Sequence, residues 1–248
     1  MKIRFIAPFP VDEDGLRLRR AQIPEDVIAP GTEIEFVATR NSGKLGDSPY
    51  EALLMEMYVF EAGMRAEDEG CDAVVMDTVS DSGLDALRSR LSIPVVGPGS
   101  VCYHIAAMLG RRFSVVSIWD GWEYVYRRTL AKYEVGGLTA SVRSLEKVPD
   151  VHRLLEGDEG VLEALKDLSL RCVEEDGADV IVLGSTTMHQ AAGYLARELP
   201  VPVISPGLWA FKIAEALVQF GMSHSRATYP APGTLQDEVW AALPSADA

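Results

Sequence analysis

Short apolar runs rich in β-branched residues recur along the chain at Ile3–Ala7, Ile34–Ala38, Ala73–Met76, Val95–Val96, Ser114–Ile118 and Val180–Leu183. Unbroken apolarity over so few residues predicts strands covered on both faces, as in a parallel sheet. Between them, apolar positions recurring near the helical period predict helices over Tyr50–Glu69, Ser100–Leu109, Trp122–Tyr133, Gly160–Glu175, His189–Glu198 and Leu208–Phe220. The alternation predicts an α/β fold built on mostly parallel sheets, with right-handed crossovers and flanking helices.

A long-range repeat refines this picture. Gly70–Thr78 overlays Gly177–Ser185, and Leu91–Gly99 overlays Leu199–Gly207, one residue having been added between the two matches in the second copy. A spacing of more than a hundred residues is a duplicated lobe, since solenoid repeats run about 20–50 residues. The provisional lobes are 1–98 with 208–248, and 99–207. Ligands of parallel α/β sheets sit beyond the carboxyl ends of the strands. Two pseudo-symmetric lobes therefore predict an active-site cleft between them, lined by Thr78–Ser82 and Ser185–His189.

Composition removes several classes of function. With 23 Lys and Arg against 37 Asp and Glu, the net charge of −14 repels phosphate backbones and anionic lipid surfaces, so neither nucleic acid nor a membrane is an expected partner. Cys71, Cys102 and Cys172 are odd in number and lack CxxC spacing, against a disulfide framework or zinc cluster. Neither a signal peptide nor an apolar run of about 20 residues is visible, and a cytoplasmic location is expected. Gly97-Pro98-Gly99 continues to Cys102 where a dinucleotide-binding motif needs glycine, and Asn41-Ser42-Gly43-Lys44 lacks the flanking residues of a phosphate-binding loop. No cofactor and no metal are implied.

Four segments carry a further signal: Ala29-Pro30-Gly31-Thr32-Glu33-Ile34, Asp81-Ser82-Gly83-Leu84-Asp85-Ala86, Leu109-Gly110-Arg111-Arg112-Phe113-Ser114-Val115 and Gly177-Ala178-Asp179-Val180-Ile181-Val182-Leu183-Gly184. Together they resemble the aspartate/glutamate/hydantoin racemase superfamily, and its hydantoin and allantoin racemase branch in particular. The resemblance implies a cofactor-independent enzyme, an assembly of identical subunits, and one cysteine after each repeated strand. A thiolate there removes the substrate's α-proton and a thiol returns one on the other face. In this chain the matching positions are Thr78 and Ser185. A thiol titrates near 8.5, whereas an aliphatic hydroxyl is too weak an acid to serve unaided as a base. The first loop departs as well: Ala7-Pro8-Phe9-Pro10 occupies the place of a carboxylate-binding Asn-Pro-Asn turn, which makes Pro8 a candidate substrate contact.

Other candidates follow from position. His189 lies four residues after Ser185, a spacing that brings side chains together on one helical turn, either activating the serine or leaving the imidazole as acid or base. It could equally decorate a helix start. Asp77, at the predicted end of a strand, is a candidate buried acid or base, or a loop anchor. Thr78, Ser80, Ser100, Ser185, Thr186 and Thr187 can hold an anionic or cyclic amide substrate at helix N-termini, where Ser82, Ser100 and Thr187 also suit ordinary capping. Cys102 reads as buried structure, and His104 as a packing residue or one at the cleft mouth. Trp119, Trp122, Tyr124 and Tyr126 form either a lid or a packed cluster.

The resulting expectation is isomerase or racemase-type proton transfer on a small carboxylate or hydantoin-like cyclic amide, with a non-thiol acid or base. A diverged lyase or decarboxylase, a hydrolase using Ser185, and an inactive sensor of small anions are the alternatives.

Overall fold

A computed structural model describes residues 1–145 and 158–246. The six apolar runs form strands, joined by two that they did not predict. β1 (Lys2–Ala7), β2 (Glu33–Ala38), β3 (Ala73–Met76) and β4 (Val95–Val96) make one parallel sheet in the order β2-β1-β3-β4. β5 (Phe113–Ser117), β6 (Thr139–Ser144), β7 (Val180–Leu183) and β8 (Val203–Ile204) make a second in the order β6-β5-β7-β8. The two sheets share one topology, as the repeat requires.

Strand β6 escaped the hydrophobic pattern because it is a half-buried edge whose polar residues are individually satisfied. Ser141 pairs with Ser114 at 2.8 Å, and Arg143 reaches Asp176 at 2.6 Å and Glu175 at 2.8 Å. β8 is not one of the apolar runs, although the repeat sets Val203-Ile204 opposite Val95-Val96 of β4. The helix Glu13–Arg20 was also missed, being polar along most of its length. It is specified by its ends: Asp12 accepts the Gly15 N–H at 2.8 Å, acids occupy the first turn and arginines the last. The predicted helix over Tyr50–Glu69 runs instead from Pro49 to Gly63, with Ser48 as its cap.

The chain divides into two compact units, Met1–Gly97 with Ala210–Ala248, and Pro98–Trp209. In the first, Ile6, Val74 and Met76 of the sheet pack against Val59, Phe60 and Met64 and against Leu84 and Leu87. In the second, Val116, Ile181 and Leu183 pack against Leu165, Leu168 and Leu195. The three cysteines are buried and none is in a disulfide. Among the described residues no helix is long and apolar enough to cross a membrane.

Glu215, 1% exposed, ties the C-terminal part of the first unit to the turn before β2. It accepts the Ala29 N–H at 3.0 Å and the Thr32 hydroxyl at 2.9 Å, and pairs with Lys212. Burial alone would raise its pKa, but Lys212 and these donors hold the carboxyl below its ordinary value. A carboxylate depressed by folding contributes stability above its unfolded pKa, near 4.3, and that contribution is lost as the pH falls through the folded value. Glu215→Gln is therefore expected to cost about 1–3 kcal/mol at pH 7. The gap from wild type should shrink in urea titrations repeated below about pH 4.

Candidate functional site: two hydroxyl loops

In the first unit β3 ends at Met76, and the Asp77 N–H extends the ladder by donating to the Ile6 carbonyl at 2.9 Å. The Asp77 side chain is fully buried. Arg19 Nη1 donates to its Oδ2 at 2.6 Å and Gln22 Nε2 to its Oδ1 at 3.0 Å, while Gln22 also donates to the Arg19 carbonyl at 2.9 Å. Both carboxylate oxygens of Asp77 are thus engaged, the geometry of a loop anchor. Neither Arg19 nor Gln22 was among the candidates. A carboxylate at the end of a buried strand does imply a cation nearby, but Arg19 lies 58 residues away on the helix the pattern missed.

The turn that follows is a chain of hydroxyls. Thr78 Oγ1 pairs with Ser80 Oγ at 2.9 Å, Ser80 with Ser82 at 2.8 Å, and the Ser80 N–H donates to Thr78 at 3.4 Å. Ser82 is thus a member of this chain rather than a helix cap, and the N-cap of Leu84–Arg90 is Gly83. Asp81 (φ 52°) and Gly83 (φ 75°) take the left-handed turn. The Asp81 carboxylate lies against Gly97, where a Cβ would sit 2.5 Å from it.

The other strands of this sheet end in loops of a different kind. Pro8 is buried directly after β1, followed by Phe9, Pro10 and Val11, none of which carries a side-chain donor. After β2, Glu51 accepts the N–H groups of Lys44, Leu45 and Gly46 and closes that loop. Burial would raise the Glu51 pKa, but these backbone donors hold it below its ordinary value.

The second unit repeats the arrangement. The Gly184 N–H donates to Val116 at 2.8 Å, and Ser185 follows. Ser185 Oγ pairs with Thr187 Oγ1 at 2.8 Å and accepts the Thr187 N–H at 3.3 Å, the same i to i+2 pattern seen at Thr78 and Ser80. Thr186 and Thr187 are buried in a single 3₁₀ turn, Thr186–Met188, and the α-helix begins only at His189. Ser185 and His189 therefore do not share one α-helical turn, and the serine hydroxyl is bonded to Thr187 rather than to the imidazole. Both His189 ring nitrogens are shielded from solvent.

Tyr126 fixes this loop from beneath. Its hydroxyl donates to the Gly184 carbonyl at 2.8 Å and pairs with Ser117 at 2.9 Å; burial pushes the phenol pKa up. A Cβ on Gly184 would lie 2.6 Å from that hydroxyl. Gly184→Ala is expected to cost about 1–3 kcal/mol through overpacking, read as a lower urea midpoint with an unchanged m-value.

Tyr126 is thus an anchor and not part of a lid, and Trp119 and Trp122 meet edge to face at 5.8 Å against the core of the second unit. Ser100 lies within the first turn of the helix Pro98–Leu109 rather than capping it, and its carbonyl is paired with His104 Nδ1 at 2.6 Å. Among the described residues no group of three or more His, Cys, Asp or Glu side chains could hold a metal ion.

A family model described as Asp/Glu/Hydantoin racemase matches residues 17–214. The chain is 32% identical over 228 residues to the hydantoin racemase of Paenarthrobacter aurescens, covering 91% of this chain and 95% of that protein. It is 33% identical over 203 residues to the hydantoin racemase of Pseudomonas sp. (strain NS671), covering 81% and 80%. Among solved structures it is similar to the allantoin racemase from Klebsiella pneumoniae, with a TM-score of 0.86 and 29% identity over 95% of each chain.

Proposed function

Because the chain belongs to the Asp/Glu/hydantoin racemase family, we propose that it is a cofactor-independent isomerase with a base other than a thiolate. Its reaction moves the proton on the carbon beside a carbonyl group of a small carboxylate or hydantoin-like cyclic amide. The observation that carries this reading is the pair of matching loops at the ends of β3 and β7. Each presents a hydroxyl, Thr78 or Ser185, held by a second hydroxyl two residues on.

Such hydroxyls donate hydrogen bonds to substrate oxygens and stabilise the charge that develops when the neighbouring carbon loses its proton. Thr78, Ser80, Ser185, Thr186 and Thr187 take that role. The proton is assigned to His189, since an imidazole is the side chain whose ordinary pKa falls in the working range. Asp77 is assigned to holding the Thr78 loop through Arg19 and Gln22.

The absence of a thiol at both positions also favours a second reading, a diverged lyase or an inactive sensor on the same fold. Proton NMR in D₂O with single enantiomers of 5-substituted hydantoins, allantoin, amino acids and small dicarboxylates separates them. Exchange of the α-proton is expected, falling by about 10²–10⁴-fold in His189→Ala. A new product instead of exchange identifies a lyase or hydrolase, and saturable binding with no conversion identifies a sensor; either overturns the isomerase.

A further inference from the structure

We infer that Tyr126 and Ser117 are positioning residues for Ser185, an inference that rests on the proposed function and adds two side chains to its machinery. Tyr126 lies on the helix Glu123–Lys132 and Ser117 ends β5; they are 2% and 1% exposed. The phenol has a single proton and the Gly184 carbonyl can only accept, so Tyr126 gives that proton to Gly184 at 2.8 Å. The Ser117 hydroxyl then donates to the phenol oxygen at 2.9 Å. Each bond has one direction, and the chain from Ser117 through Tyr126 ends on the peptide that leads into Ser185.

Gly184 is held at both of its polar groups. Its N–H donates to the Val116 carbonyl at 2.8 Å, and its carbonyl accepts from Tyr126. That carbonyl shares a peptide plane with the Ser185 N–H, so fixing it fixes the direction in which Ser185 leaves the strand. The half-buried Ser185 then turns its Oγ to Thr187 Oγ1 at 2.8 Å. A buried tyrosine seeks a partner for its hydroxyl wherever it packs, but the repeat gives this bond a further meaning. It aligns Gly184 with Asp77, and in both copies the residue before the hydroxyl is held, by unrelated chemistry. In one copy a side-chain carboxylate meets Arg19 and Gln22; in the other a main-chain carbonyl meets a phenol. What the two devices have in common is the placement of the hydroxyl that follows, Thr78 or Ser185.

The test follows placement with and without substrate. Tyr126→Phe keeps the ring and removes the donor. On the L enantiomer of 5-benzylhydantoin in D₂O it is expected to lower kcat for α-proton exchange about 10- to 100-fold, the cost of a misplaced group. In a Ser185→Ala background the same substitution is expected to change kcat by no more than about twofold, because the group it positions is gone. A loss of folded protein would instead lower kcat equally in both backgrounds. Amide hydrogen exchange gives a reading without substrate. The Thr187 N–H, which donates to Ser185 Oγ at 3.3 Å, is expected to lose protection by about tenfold in Tyr126→Phe while Val116 and Val182 keep theirs. Ser117→Ala leaves the donor to Gly184 in place and should shift both readings in the same direction by less; it carries the test if Tyr126→Phe does not fold. An unchanged kcat in Tyr126→Phe overturns the assignment, as does an equal loss in the two backgrounds. So does protection lost evenly through β5 and β7, or kept at Thr187. A wild type that exchanges no α-proton rejects the proposed function, and amide exchange alone then decides whether Tyr126 positions Ser185.

Discussion

Thr78→Cys combined with Ser185→Cys is expected to accelerate α-proton exchange on a 5-substituted hydantoin by about 10²–10⁴-fold, the range that a correctly placed acid or base contributes. The two hydroxyls stand where the family resemblance places thiols, and they end corresponding strands of two sheets with the same topology. Oxygen and sulfur differ little in reach but greatly in acidity. A thiol with an ordinary pKa near 8.5 has an appreciable thiolate fraction in mildly alkaline solution. The rate of the double variant should therefore climb between about pH 7 and 9, following the thiolate fraction. Each single variant provides one thiol and is expected to support exchange without full racemisation. Exchange in the double variant no faster than in wild type would mean that these loops do not address the reacting carbon, and the proposed function would fail with them.

Asp77→Ala is expected to destabilise the protein by about 3–5 kcal/mol, because it leaves Arg19 as a buried charge without its counter-ion. The two side chains are 5% and 0% exposed, so water cannot substitute for the lost carboxylate. Removing the partner as well, in Asp77→Ala/Arg19→Met, deletes the stranded charge and is expected to recover most of that loss. Urea unfolding of the wild type, both single variants and the double variant gives the coupling directly. Additive losses would show that Arg19 and Asp77 do not act as a pair. Because Asp77 precedes Thr78, loosening this contact should also weaken substrate binding in proportion to the disorder of the loop.

The contrast between Ser185 and Asp77 shows how far local pattern reaches. The alignment of Gly70–Thr78 with Gly177–Ser185 already placed Thr78 and Ser185 at corresponding strand ends, and the hydroxyls two residues on were in plain view. Their partners lie only two residues on, yet the pairing itself appears only in the structure. The same reasoning failed for Ser185 and His189, because a spacing of four brings side chains together only within one helical turn and the helix begins at His189, where the pattern put it. A 3₁₀ turn at Thr186–Met188 separates them, and Ser185 spends its oxygen on Thr187.

Periodicity and the internal duplication place six of the described strands, the mostly parallel pairing, and the loops that leave the carboxyl ends of β3 and β7. These follow from burial and backbone hydrogen bonding, which act over a few residues and leave a visible rhythm. Packing alone decides which distant side chains meet. Arg19 and Gln22 reach Asp77 from a polar helix and the turn after it, and Tyr126 reaches Gly184 across 58 residues. No local signal marks such pairs, because each residue reads as ordinary until the chain folds and the desolvation of one buried polar group can be offset only by the other.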